Sequence, residues 1–294
     1  MTMRVLLATD GSEDAKAATA WLGGLPLPAD ARVRVITALA LPPSPLDIAP
    51  VRELYARLRH EARAHADDAR AALRARFPGI EVEVVDGDPR AAIVRAAESW
   101  PADLVVTGAR GLGGIKELLL GSVSLGVVRH APCPVLVVKG AARPLGGALV
   151  ALDGSEHAAA AAAWLAQLPL ESTTVVRLLG VVERPRFPST VPAMATAIVR
   201  EAIDQIVSER RAALLPALER AAGLFAGSVK SVEQRVVVGH PTDEIVRAAG
   251  ESGVDLVVVG ARGLGGLERL LLGSVSEGVL HHVARPVLVV RPAR

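Results

Sequence analysis

Hydrophobic residues fall into short unbroken runs, set apart by longer segments of helical periodicity. Arg4–Thr9 is the first run and reads as a strand buried on both faces. Asp10-Gly11-Ser12 then forms a turn, with Ser12 as N-cap and Glu13 and Asp14 favoured in the first turn of a helix. That helix is expected to reach about Trp21 and to stop at Gly23-Gly24. Val33–Leu39 reads as a second strand, followed by the proline-rich stretch Pro42-Pro43-Ser44-Pro45 to Pro50 and a long arginine- and alanine-rich helix over Val51–Arg76. Strands are expected over Glu81–Val85, Leu104–Thr107 and Val135–Val138, and helices over Pro89–Glu98 and Val123–His130. Strands alternating with helices argue for a parallel sheet covered on both faces, and right-handed crossovers restrict it to a few doubly wound orders.

The pattern then repeats. Asp103–Val138 and Asp255–Val290 are identical at 26 of 36 aligned positions, at an offset of 152. The N-terminal parts match at an offset of 143: Asp10-Gly11-Ser12 answers Asp153-Gly154-Ser155, and Trp21 answers Trp164. The second copy therefore carries a net insertion of nine residues (152 minus 143) between Pro185 and Val232. Two copies at this period are a domain duplication rather than a solenoid. We place the domains at 1–140 and 146–294, joined by a small-residue linker over 140–146.

The 294 residues suit two domains of ordinary size. Only seven residues are aromatic, so alanine, valine and leucine must fill the cores. The charge balance, 33 basic against 31 acidic residues, argues against nucleic-acid binding through bulk charge. One cysteine, Cys133, excludes an intrachain disulfide and a multi-cysteine metal site. No apolar stretch approaches the ~20 residues that span a bilayer. The expectation is a soluble, cytoplasmic protein with neither a nucleic-acid nor a membrane partner.

In such a sheet, ligands bind outside the carboxyl ends of the strands. After strand four stands Gly108-Ala109-Arg110-Gly111, and nine residues later Gly121-Ser122; the second copy repeats this with Gly260, Gly263, Gly273 and Ser274. Glycines allow close backbone approach, and a helix opening at Ser122 offers free N–H groups to an anion. The Ser122 and Ser124 hydroxyls could donate to phosphate oxygens. Neither the Walker A spacing nor the dinucleotide fingerprint occurs. Arg110 and Arg262 either touch phosphate or remain solvated.

Gly-x2-Gly-x9-Gly-Ser after strand four resembles the ATP-binding signature of the universal stress protein family. The Asp-Gly-Ser turn, Gly87-Asp88-Pro89 and the closing Pro-Val-Leu-Val-Val strand support the resemblance, which covers nearly the whole chain. It implies an α/β chain of two tandem doubly wound domains, each a five-stranded parallel sheet in the order 3-2-1-4-5 with helices on both faces. It implies ATP between the ends of strands one and four, with Gly108, Gly111, Gly121, Ser122 and Ser124 near phosphates and ribose. Asp10 would lie beside them, where it could hold a magnesium ion, and Ala38 would meet the adenine. In the second domain the same roles fall to Gly260, Gly263, Gly273, Ser274, Ser276, Asp153 and Val181. The family also implies pairing of final strands, here Val135–Val138 with Val287–Val290, as an internal pseudo-dimer that could dimerise further.

No catalytic set stands out, so the expectation is a nucleotide-dependent stress-response sensor or regulator, with an unknown protein partner and little or no hydrolysis. Two other classes remain open at this point: a slow ATP-hydrolysing or adenylyl-transferring enzyme, and a nucleotide-free interaction scaffold. The proline-rich middles, the second beginning Arg184-Pro185-Arg186-Phe187-Pro188, are expected to make the two pockets differ in access.

Overall fold

A computed structural model describes residues 2–40, 48–112, 120–185, 196–264 and 271–292. The proline-rich segment 42–45 and the stretch 186–188 lie outside the described residues. The chain divides into two compact units, residues 1–145 with 280–289 and 293–294, and residues 146–279 with 290–292.

In the first unit the elements are β1 (Arg4–Ala8), α1 (Glu13–Gly24), β2 (Arg32–Leu39), α2 (Ala49–Leu73), β3 (Glu81–Asp86), α3 (Pro89–Ser99), β4 (Leu104–Gly108), α4 (Ser122–His130) and β5 (Val135–Val138). The strands run β3-β2-β1-β4-β5, with parallel pairing throughout. β4 and β5 are buried at every position, and β1 at all but its first, because helices cover both faces; this is why these strands are continuous apolar runs. β3 is half-exposed, as an edge strand with a charged alternate face should be. β10 (Val287–Val290) supplies Val287–Val289 as an antiparallel neighbour of β5, in the register Val287↔Val137.

The second unit repeats the order of elements: β6 (Gly147–Leu152), α5 (Glu156–Ala166), β7 (Val175–Val182), α6 (Thr196–Gly223), β8 (Ser231–Val238), α7 (Pro241–Ala249), β9 (Leu256–Gly260) and α8 (Ser274–His282). Its strands run β9-β6-β7-β8, again parallel. The nine extra residues are split. Buried Phe77 and Phe225, each two residues before a glycine, align α2 with α6 at an offset of 148. Five residues (148 minus 143) therefore enter before the packed part of α6 and four (152 minus 148) between α6 and β8.

Local sequence explains most helix starts. Ser12 Oγ accepts the Ala15 N–H at 3.3 Å and Ser155 Oγ the Ala158 N–H at 3.2 Å. Asp88 caps α3 with Pro89 behind it in the first turn. Two boundaries depart from expectation: α2 spans Ala49–Leu73 rather than reaching Arg76, and α1 continues through Gly23-Gly24 to a cap at Leu25. The Leu25 N–H bonds to the Leu22 carbonyl, and buried Leu22 and Leu25 anchor this last turn, so tertiary packing outweighs the weak helix propensity of two glycines. Among the described residues, no helix is long and apolar enough to cross a membrane.

One buried charge sits at the end of β5. Lys139 is 7% exposed and its Nζ donates to the carbonyls of Leu280 and Val283, the latter at 2.7 Å. Burial first, then the nearby Arg110, lowers its pKa to about 8, while Asp14 opposes the shift. The unfolded chain therefore binds more protons than the folded one above pH 8. Stability attributable to this site should rise from about pH 8 to pH 10.5, and be lost again as the pH falls through 8. Compared with Lys139→Met, the wild type should gain about 3 kcal/mol across that window in denaturant titrations. Parallel pH curves for the two proteins would refute the assignment.

Candidate functional site

β1 has β2 on one side and β4 on the other, so successive crossovers leave in opposite directions at its carboxyl end. Such a reversal leaves a crevice, and here it holds about 510 Å³ of empty space. Thr9 and Asp10 after β1, Ile36 and Ala38 of β2, and Thr107 and Gly108 of β4 form its floor. Arg110 and Gly111 of the glycine loop, Val123 and Ser124 of α4, and Pro89 and Ile93 of α3 form its walls.

The Asp10 carboxylate joins two parts of this crevice. Oδ1 accepts the Ser12 N–H at 3.0 Å, shaping the turn after β1, and Oδ2 accepts the Leu112 N–H at 3.0 Å, from the glycine loop. Ser12 Oγ adds a second tie by donating to the Arg110 carbonyl at 3.1 Å. The second unit repeats these contacts. Asp153 accepts from Ser155 N at 2.9 Å and Leu264 N at 3.2 Å, and Ser155 Oγ donates to the Arg262 carbonyl at 3.4 Å. The turn itself requires glycine, because Gly11 and Gly154 have φ of +78° and +83°.

The loop glycines serve unlike purposes. A Cβ on Gly108 would stand 2.6–2.7 Å from the backbone of Asp14 and Ala15, and one on Gly260 equally close to that of His157 and Ala158. These two glycines let the first helix of each unit press against its sheet. At Gly111 and Gly263 a Cβ would instead meet the Asp10 or Asp153 Oδ2 at 2.4 Å, so a side chain would push the carboxylate off the loop. Gly121 and Gly273 close the loop, donating N–H to the Ala109 carbonyl at 2.7 Å and the Ala261 carbonyl at 2.8 Å.

The serines divide similarly. Ser124 Oγ is buried and donates back to the loop carbonyls of Gly108 (2.7 Å) and Ala109 (3.0 Å), and Ser276 Oγ to Gly260 (2.6 Å). Ser122 and Ser274 are exposed, first in their helices. No side chain caps α4, which leaves its first N–H groups available to an anion. Ala38 and Val181 are half-buried near the ends of β2 and β7, opposite Val85 and Val237.

Sequence reasoning missed the partner of Arg110. Asp14 accepts from Arg110 N at 3.1 Å, Nε at 2.9 Å and Nη2 at 3.2 Å, and this hydrogen bonding holds the guanidinium pKa above its ordinary value. The only signal was an aspartate in the first turn of α1, which already suited the helix dipole. His157 occupies the same position in the second unit. Burial chiefly lowers its pKa, with Arg262 and Arg291 adding to the shift and Glu156 opposing it.

Comparison with known proteins agrees with this architecture. The sequence profile of the universal stress protein family matches residues 1–139 and 148–291. A universal stress protein of Thermus aquaticus is 40% identical over 139 residues, 47% of this chain and 100% of that protein. One from Mycobacterium tuberculosis is 32% identical over 230 residues, 75% of this chain and 71% of that protein. A solved universal stress protein structure from Archaeoglobus fulgidus superposes with a TM-score of 0.66 at 24% identity, covering 98% of this chain and 96% of that one, a likeness of fold.

Two outcomes test the roles assigned to these residues. Asp10→Ala should speed hydrogen exchange of the Leu112 amide by roughly tenfold, the loss of one charge-assisted bond, and Asp153→Ala should do so at Leu264; unchanged exchange would show that the carboxylates do not hold the loops. Gly108→Ala should cost about 1–3 kcal/mol of stability, as overpacking against backbone does. An unchanged melting temperature would contradict the close approach of α1.

Proposed function

Because the chain belongs to the universal stress protein family, we propose that it binds an adenine nucleotide, ATP, in each of its two domains and acts as a nucleotide-dependent regulator of a stress response. The observation that carries this reading is the crevice at the ends of β1, β2 and β4, with a carboxylate-held glycine loop on one side and an uncapped helix N-terminus on the other. Ala38 offers a small, half-buried apolar wall for a flat base. The loop and the α4 N–H groups are placed for phosphates, with the Arg110 charge already balanced by Asp14. The second domain carries the same aspartate, turn and loop contacts, which supports one pocket per domain.

Magnesium is compatible with the residues present. An ionised carboxylate has about four acceptor positions, and Asp10 and Asp153 each use one on either oxygen. Magnesium held mostly by phosphates and water needs only one or two carboxylates, and among the described residues no cluster of three ligating side chains supplies an all-protein site. A bound ion would balance polyphosphate charge. The protein's own residues hold the loop against the turn after β1 and tie the α4 start back to the loop carbonyls. The reading is of binding with little or no hydrolysis: the carboxylate that lines the crevice, Asp10, already accepts the Ser12 and Leu112 N–H groups.

Denaturing freshly purified protein and counting the released nucleotide tests the reading directly. About two ATP per chain are expected, falling to about one in each of Gly121→Val and Gly273→Val. If no nucleotide is released, an ATP titration of the melting temperature decides, since ligand at ~100 times its dissociation constant adds about 2.7 kcal/mol. A flat titration would overturn the proposal.

A further inference from the structure

The helical face of the second unit contains a cavity that the nucleotide reading does not use. It lies between α5 and α6, holds about 640 Å³, and is lined by eleven residues, nearly all small or apolar. The duplication provides an internal control for its origin. At the offset of 148, Leu73 of α2 becomes Ala221 of α6. In the first unit Leu73 is 2% exposed and reaches towards α1, with Cδ2 at 3.4 Å from the position a Cβ would take on Gly23. Replacing that leucine by alanine removes the side chain that fills the interhelical space.

The rim changes in the same direction. Lys16 and Thr19 of α1 become Ala159 and Ala162, and Arg76 becomes Leu224. Leu224 is 47% exposed, high for a leucine that lines a cavity. Against this loss of charge one cation is gained: Arg220, the only charged residue among the described residues lining the cavity, stands where the first copy has Ala72.

We propose that this cavity binds a free single-chain aliphatic carboxylate, with the chain between α5 and α6 and the carboxylate at Arg220. Apolar walls with one polar anchor are the usual make-up of a small-molecule site. An arginine matches a carboxylate in charge and fork geometry.

The test is displacement of the fluorescent fatty acid cis-parinaric acid by dodecanoate from the full chain. One saturable site is expected. Ala221→Leu, which restores the first-copy residue, and Leu224→Gln, an exposed rim change that removes apolar wall without adding charge, should each weaken binding by roughly tenfold or more. Arg220→Gln should weaken dodecanoate but leave dodecanol unchanged. Melting curves of all three variants should stay cooperative. No saturable binding by the wild type, equal affinity in Leu224→Gln, an equal effect of Arg220→Gln on acid and alcohol, or binding seen only with lipid vesicles would each overturn the proposal.

Discussion

Everything at the carboxyl end of each sheet depends on one hydrogen-bonded carboxylate. Asp10 and Asp153 each accept one N–H from the turn that follows their own strand and one from a loop more than a hundred residues later. A glycine loop is entropically costly to order, because glycine loses more backbone freedom than any other residue. Two charge-assisted bonds, with the Ser12 and Ser155 hydroxyls beside them, offset part of that cost without placing a side chain in the crevice. The carboxylate must approach the loop backbone closely, which is why Gly111 and Gly263 lack a Cβ. The sequence order Asp-Gly-Ser and the distant Gly-x2-Gly are two halves of one device.

This makes the division of labour among the glycines intelligible. Gly108 and Gly260 settle the depth of the crevice by letting the first helix sit against the sheet, and the same approach places Asp14 within reach of the Arg110 backbone and guanidinium. The buried hydroxyls of Ser124 and Ser276 then tie the following helix back to the loop carbonyls. Little of the motif is left over. Among its described residues, the Ser122 and Ser274 hydroxyls stay exposed and no side chain caps α4, which suits recognition of an anion by the main chain.

The fold was legible because strands buried on both faces cannot hide their composition: Val-Leu-Leu-Ala after Arg4 and the Val-rich runs at 104–107 and 135–138 admit no exposed reading. Helix ends were less so, since Gly23-Gly24 signal a stop that buried Leu22 and Leu25 override. At the site, the motif gave the right neighbourhood but not the job of each residue. Gly108 reads in sequence as a ligand-facing glycine, yet the close neighbour of its missing Cβ is the α1 backbone. Asp14 reads as a helix-dipole residue, yet its oxygens hold Arg110. Contacts spanning about a hundred residues leave no local trace, and a single sequence cannot show which of several nearby charges will meet.

Duplication supplies what a single domain's sequence lacks, because each position has a counterpart in the same fold. Where both copies keep a residue, a shared constraint is the simplest account: the aspartate, the positive-φ glycine and the loop glycines coincide in identity and in contacts. Where the copies part, the divergence is patterned. Asp14 gives way to His157, so the two loop arginines stand beside unlike neighbours, a hydrogen-bonded carboxylate in one unit and an imidazole kept towards its neutral form in the other. Away from the loops, three charged or polar positions around one cavity, Lys16, Thr19 and Arg76, become apolar, and a filling leucine becomes alanine. Random drift has no evident reason to open an interhelical space and strip two charges from around it while adding a single arginine to its wall. Concerted change of that kind is what a surface acquiring a use would leave, and the aspartate–loop contacts are kept in both copies beside it.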